Sequence, residues 1–225
     1  MDRSALARYL VTEADLRQQL EREYLPTGIT VIDTELGGVP RGSVTEIWGP
    51  ATSGKTTFIN NFLARSTGAG EFCALIDASD TFDPASASAA SADLSRLLWV
   101  RCHGAEHALK AADLLTHSGG WGLIVMDLSD LPPAVVRRIP MTWWYRFRRA
   151  VERTPTVFVI VEREPFVKNC ATMALEFPPA PAIWSGAHSR FRILRGTRVH
   201  ITPRKPVHSR GNNLTYFESR APEIA

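Results

Sequence analysis

The chain has 225 residues, 44% of them hydrophobic and 22% charged, with a formal net charge of +3. That length supports one α/β domain with a sizeable core. No run of about 18 apolar residues occurs, so no membrane-spanning helix is expected, and the charged amphipathic stretch behind Met1 does not read as a secretory signal. Cys73, Cys102 and Cys170 have neither disulfide nor metal-ligand spacing, and the six histidines form no cluster. Reduced thiols and a cytoplasmic, nucleoid-associated location are expected.

The charge is uneven. Residues 1–136 carry 10 Lys and Arg against 17 Asp and Glu, whereas residues 137–225 carry 16 against 6. Such a split suits an anionic partner for the C-terminal third, or simply a solvated basic surface.

In chain order, Leu6, Leu10, Leu16, Leu20 and Tyr24 recur at helical spacing and predict a helix over 4–24, ended by the Pro26–Gly28 turn. Residues 29–36 are a short helix or strand, and 37–42 a loop. The alternating, β-branched stretch 44–48 predicts a strand, and Phe58, Ile59, Phe62 and Leu63 mark one face of the helix that follows 57. Further strands are expected at 72–77, 97–100, 123–127 and 156–161, with helices at 85–92, 105–118 and 141–153. Strands alternating with helices argue for a mainly parallel sheet flanked by helices. Residues 190–217 read as short β-type runs forming a small C-terminal antiparallel extension. The expected organisation is an N-terminal helix over 1–24, a core over 25–189 and a basic extension over 190–225.

Between the 44–48 strand and its helix, residues 49–57 read G-P-A-T-S-G-K-T-T and match the phosphate-loop pattern G-x-x-x-x-G-K-[ST]. Glycines let the backbone curl so that successive N–H groups point at an anion, and the helix N-terminus adds attraction. Lys55 supplies charge for the outer phosphates, and the Thr56 hydroxyl suits a magnesium ion. The expected binding set is Gly49, Pro50, Ala51, Thr52, Ser53, Gly54, Lys55, Thr56 and Thr57. Asp127, ending the apolar 123–127 strand, is the matching carboxylate for the metal.

Taken in order, 25–37, 44–57, 73–84 and 123–127 resemble the ATPase core of bacterial RecA recombinases over about residues 25–180. The resemblance implies a RecA-like phosphate-loop fold that binds ATP or ADP with magnesium, and Asp83 as a contact to the adenine amino group. The chain is shorter than a recombinase and is most similar to the short RecA-like ImuA group, accessory proteins of SOS-induced translesion synthesis. The partners implied are a catalytically inactive Y-family polymerase homologue and an error-prone replicative-type polymerase, with RecA and single-stranded DNA as further candidates.

Several positions depart from the RecA pattern. Ser79 stands where the family has the glutamate that activates water, and a serine is no general base without its own activator. Asp80 and Glu162 are the substitute candidates. Ser86 replaces the adenine-stacking tyrosine, and Glu162 the phosphate-sensing glutamine. Both DNA-binding loops are shortened, which argues against strand exchange. On helix 141–153, Trp143, Phe147, Ala150 and Val151 are expected to form the core stripe, with Trp144 and Arg148 outside. Arg190, Arg192, Arg195, Arg198, Arg204, Lys205 and Arg210 have almost no compensating acid and are candidates for DNA or partner contact. Three functions stay open: an accessory nucleotide-binding protein with weak or absent hydrolysis, a DNA-stimulated ATPase, and a scaffold with a vestigial site.

Overall fold

The computed structural model describes residues 23–185, 193–205 and 215–220. The predicted 4–24 helix therefore falls outside the described residues, except at its end. There Tyr24 is extended: β1 (Tyr24–Leu25) pairs antiparallel with β2 (Val39–Pro40), a strand inside the expected loop. Between them lies α1 (Thr30–Leu36), so the 29–36 stretch resolves as helix. The Asp33 carboxylate organises its entry, accepting from Thr27 N at 2.7 Å, Thr27 Oγ1 at 2.8 Å and Gly28 N at 3.1 Å.

The main sheet is built from β3 (Ser43–Trp48), β4 (Cys73–Asp77), β5 (Leu97–Arg101), β6 (Leu123–Asp127), β7 (Val157–Glu162), β8 (Met173–Glu176), β9 (Ala182–Trp184), β10 (Leu194–Lys205) and β11 (Thr215–Arg220). Strands lie in the order β11-β10-β8-β3-β7-β6-β4-β5, with β9 also on β10. Pairings from β8 through β5 are parallel, whereas β10 is antiparallel to β8, β9 and β11. The extension is thus a continuation of the core sheet, and β10 is one long strand rather than several short runs.

Helices cover both faces: α2 (Lys55–Gly68), α3 (Pro84–Ala89), α4 (Ala105–Ser118), the short α5 (Pro133–Val136) and α6 (Met141–Val151). Alternation along each strand sorts the core into two layers. Ile47, Leu75, Val125, Val159 and Val161 pack with α2 residues Phe58 and Phe62. Val44, Ile76, Met126, Phe158 and Ile160 pack with α4 and α6 residues Leu109 and Phe147 on the other face. Val199 and Ile201 of β10 belong to the α2-side layer.

Helix α6 corrects the expected stripe. Trp144 is 1% exposed and packs with Phe147, which meets Phe158 of β7 at 5.2 Å between ring centroids. The inner stripe is Trp144, Phe147 and Val151, at i, i+3 and i+7, while Trp143 and Ala150 are half-buried. Either neighbouring tryptophan completes a helical stripe with Phe147, so spacing alone did not choose between them. Arg148 is half-buried as well.

Candidate functional site

Residues 49–54 turn the chain between β3 and α2. At Gly49 an added Cβ would sit 2.1 Å from the Phe177 carbonyl oxygen. At Gly54, with φ +90°, it would sit 2.3 Å from a Val199 methyl. The loop is therefore clamped between the end of β8 and β10, and only glycine fits there. Thr52 takes φ +61°, an uncommon conformation for a β-branched residue, and its hydroxyl donates to the Ala51 carbonyl at 2.6 Å.

Residues 51–57 line a cavity of about 380 Å³. Its other walls come from Ile59 and Asn60 of α2, from Leu75 and Asp77 at the end of β4, and from Thr81 and Phe82. Asp127, Ser129, Asp130, Arg163 and Thr197 complete it. Lys55 Nζ donates to the Gly49 and Pro50 carbonyls at 2.6 and 2.7 Å and to Ser53 Oγ at 3.2 Å. Burial lowers its pKa, as does Arg163, while Asp127 and Asp130 pull it back up. Thr56 lies exposed at the mouth.

Asp77 and Asp127 end neighbouring strands in register, and both face the cavity. Asp77 was not among the predicted residues, although a carboxylate ending an apolar strand was signal enough to find it. It accepts from Ser79 N at 3.2 Å, Phe82 N at 2.8 Å and Trp99 Nε1 at 3.3 Å. Asp127 accepts from Ser129 N at 2.8 Å. Burial raises the Asp127 pKa, with Asp130 and Asp77 adding to the rise and Ser129 opposing it. Among the described residues no group of three or more His, Cys, Asp or Glu could hold a metal alone. The Thr56 hydroxyl and the Asp127 carboxylate fit magnesium, which takes one or two protein oxygens and leaves the rest to phosphate and water. Arg163, Asp130, Thr81, Asn60 and Thr197 carried no motif signal, because the fold gathers them from five separate segments.

The hydrolytic candidates sit elsewhere. The Ser79 hydroxyl is buried with no partner and lies outside the cavity wall. Asp80, at φ +56°, forms a bidentate pair with Arg101, both contacts at 2.7 Å, and its pKa is lowered by that bond. Glu162 shares the parity of Phe158 and Ile160, so it faces the α6 side, away from the phosphate loop. It is fully buried, its Oε2 accepts from Phe166 N at 3.2 Å, its Oε1 has no hydrogen-bond partner among the described residues, and the Glu46 carboxyl lies beside it. Burial first, then Glu46, push its pKa up to about 9. Glu46 in turn accepts from Phe166 N and Val167 N at 2.6 and 2.7 Å.

Asp83 does not line the cavity. It caps α3, accepting from Ala85 N at 3.0 Å, Ser86 N at 3.1 Å and the Ser86 hydroxyl, which leads the lowering of its pKa. Two of the basic candidates, Arg198 and Arg204, find acids, whereas Lys205 meets only a backbone carbonyl and keeps its charge. Arg198 pairs with Glu218 at 2.8 Å, Arg204 donates to Glu176 at 2.6 Å, and Lys205 donates to the Lys168 carbonyl at 2.7 Å. Arg195 is exposed and forms no ion pair with any described residue. Arg190, Arg192 and Arg210 lie outside the described residues.

The RecA N-terminal domain family matches residues 9–136. The chain is similar to the protein RecA of Streptomyces coelicolor, 40% identical over 107 residues, or 47% of this chain and 29% of that protein. It is 31% identical to the protein RecA of Chloroflexus aurantiacus over 161 residues, covering 64% of this chain and 46% of the relative. To the protein RecA of Cutibacterium acnes it is 42% identical over 105 residues, 46% of this chain and 30% of the relative. The chain thus spans less than half the length of these relatives.

Proposed function

The chain belongs to the RecA N-terminal domain family, and from that premise we propose a nucleotide-binding accessory protein of SOS-induced translesion DNA synthesis, of the short ImuA type. It binds ATP or ADP with magnesium, hydrolyses it weakly or not at all, and recruits an inactive Y-family polymerase homologue and an error-prone replicative-type polymerase. The observation that carries the weak-hydrolysis reading is the engagement of every candidate carboxylate. Asp80 is held by Arg101, and Glu162 is buried on the opposite face of the sheet. Within the cavity, Asp77 accepts three donors, Asp127 stands as the metal carboxylate, and Asp130 accepts from the Thr81 hydroxyl. Among the described residues, every carboxylate lining the cavity already has a donor or the metal role, which disfavours a general base for water.

Nucleotide affinity and turnover of the wild type and of Lys55→Ala test the reading. The wild type is expected to bind magnesium nucleotide with little turnover. Lys55→Ala is expected to weaken binding by roughly ten- to a hundredfold, the worth of a charge-assisted contact. Brisk turnover that disappears in Lys55→Ala would instead make the protein a RecA-family ATPase. Absence of any wild-type binding would leave a scaffold with a vestigial site.

A further inference from the structure

Glu162 faces away from the cavity, but the next residue does not. Arg163 leaves the end of β7 toward the phosphate loop and lines the same cavity as Lys55 and Asp127. Its Nε donates to the Ser129 carbonyl at 2.6 Å, and its Nη2 lies 3.5 Å from Asp130 Oδ1. Asp130 is shared, since its other oxygen accepts from Thr81 Oγ1 at 2.9 Å. The two side chains of the ion pair are 42% and 46% exposed. The ion pair, at that length and between half-exposed groups, contributes little, so the Ser129 hydrogen bond is the main restraint that an incoming phosphate must replace. Its planar fork of donors matches phosphate oxygens better than one distant carboxylate oxygen.

The cavity's charges set the direction of the exchange. Lys55 and Arg163 face Asp77, Asp127 and Asp130, leaving an excess of one negative charge in the wall. A diphosphate is served by the loop N–H groups and Lys55. A terminal phosphate adds charge beyond the loop and needs a further cation there.

We infer that Arg163 is the triphosphate-sensing residue of this site, exchanging Ser129 and Asp130 for the terminal phosphate of a bound nucleoside triphosphate. The inference rests on the nucleotide-site reading and adds a consequence to it. Ser129 and Asp130 lie in the turn after β6, closed by the Leu131 N–H bond to the Leu128 carbonyl at 3.1 Å. A second tie joins the same two segments, with Arg137 donating to Glu164 at 3.0 Å and stacked over Phe166. The Leu128 N–H also donates to the Val161 carbonyl at 2.9 Å, so withdrawal of Arg163 removes one of several ties, the one that reaches Ser129 and Asp130, and loosens the turn beyond Leu128. The shape of that turn then reports whether the nucleotide carries its third phosphate.

Calorimetric titration with magnesium ADP and with a magnesium-bound non-hydrolysable ATP analogue tests this on the wild type, Arg163→Ala and Arg163→Lys. Arg163→Ala should bind the analogue roughly tenfold or more weakly while its ADP affinity stays within about twofold of the wild type, and Arg163→Lys should fall between. Retained ADP binding also shows that the variant folds. Amide hydrogen exchange in residues 129–131 should rise in the wild type on adding the analogue and not on adding ADP, and Arg163→Ala should lose that difference. Equal weakening of both nucleotides, or of neither, overturns the inference and leaves the nucleotide site standing. A wild type that binds neither nucleotide removes the site and the inference together.

Discussion

Glu162 shows how one residue's direction changes what a motif means. By position it aligns with the phosphate sensor of the resembling family, yet strand alternation turns it onto Glu46 and the backbone of Phe166. Its carboxyl is held protonated up to about 9, against 4.5 for the unperturbed group. Between those values the folded chain keeps a proton that the unfolded chain gives up. The resulting stability is complete below about 4.5, declines as pH rises, and is lost as pH passes 9. Glu162→Gln keeps a neutral donor toward Glu46 at every pH. Wild-type stability should therefore fall by roughly 2–4 kcal/mol more than the variant's between about pH 5 and about pH 8. Thermal melts of both proteins across that range check it, and parallel pH profiles would contradict it. The phosphate loop, Thr56 and Asp127 were legible because their chemistry is local: a fixed spacing and a strand end. Asp80, Asp83 and Glu162 were not, because their partners Arg101, Ser86 and Glu46 decide their roles through packing.

At the scale of elements, β4, β6 and β7 were readable because burial on both faces makes each a nearly continuous apolar run, whereas β3 showed itself by β-branched alternation and the edge strand β5 by a short apolar stretch. Strand β10 was harder. Its core residues Val199 and Ile201 are separated by His200 and flanked by polar residues, and Pro203 marks a register shift against β8 rather than an end. Nothing local announces that Val199 packs on Gly54, so the clamp on the phosphate loop emerges only from the assembled sheet. Helix α6 offers a direct check of the corrected stripe. Trp144→Ala removes a side chain that is 1% exposed and should cost about 3–5 kcal/mol. Tyr145→Ala, on the solvent side at 48% exposed, should stay within about 0.5 kcal/mol. Urea unfolding of the two variants decides between this stripe and one running through Trp143.

For the whole molecule, the excess of basic residues beyond 136 was visible in the sequence, but where it acts depends on which charges find acids. Cross-strand partners 20 and 28 residues away neutralise Arg198 and Arg204. A different set converges from three elements without an ion pair to any described residue: Arg148 on α6, Lys168 in the turn before β8, and Lys205 on β10. Lys205 reaches the Lys168 carbonyl at 2.7 Å, and Arg148 the Asn169 carbonyl at 3.4 Å, so the three cations share one turn. Charges held together without an acid partner among the described residues suit successive phosphates of a single strand. Replacing Arg148, Lys168 and Lys205 together by Gln should weaken binding to an oligothymidine and flatten its salt dependence. Each lost phosphate contact removes about 0.7 from the slope of log affinity against log salt, so the triple variant should lose about 2. Arg198→Gln with Arg204→Gln should leave the slope within about 0.7 of wild type, since those charges already face carboxylates. Fluorescence anisotropy at several salt concentrations measures both slopes. An unchanged slope in the triple variant, or a larger loss in the paired one, would move the DNA contact from the Lys168 turn to the outer face of β10.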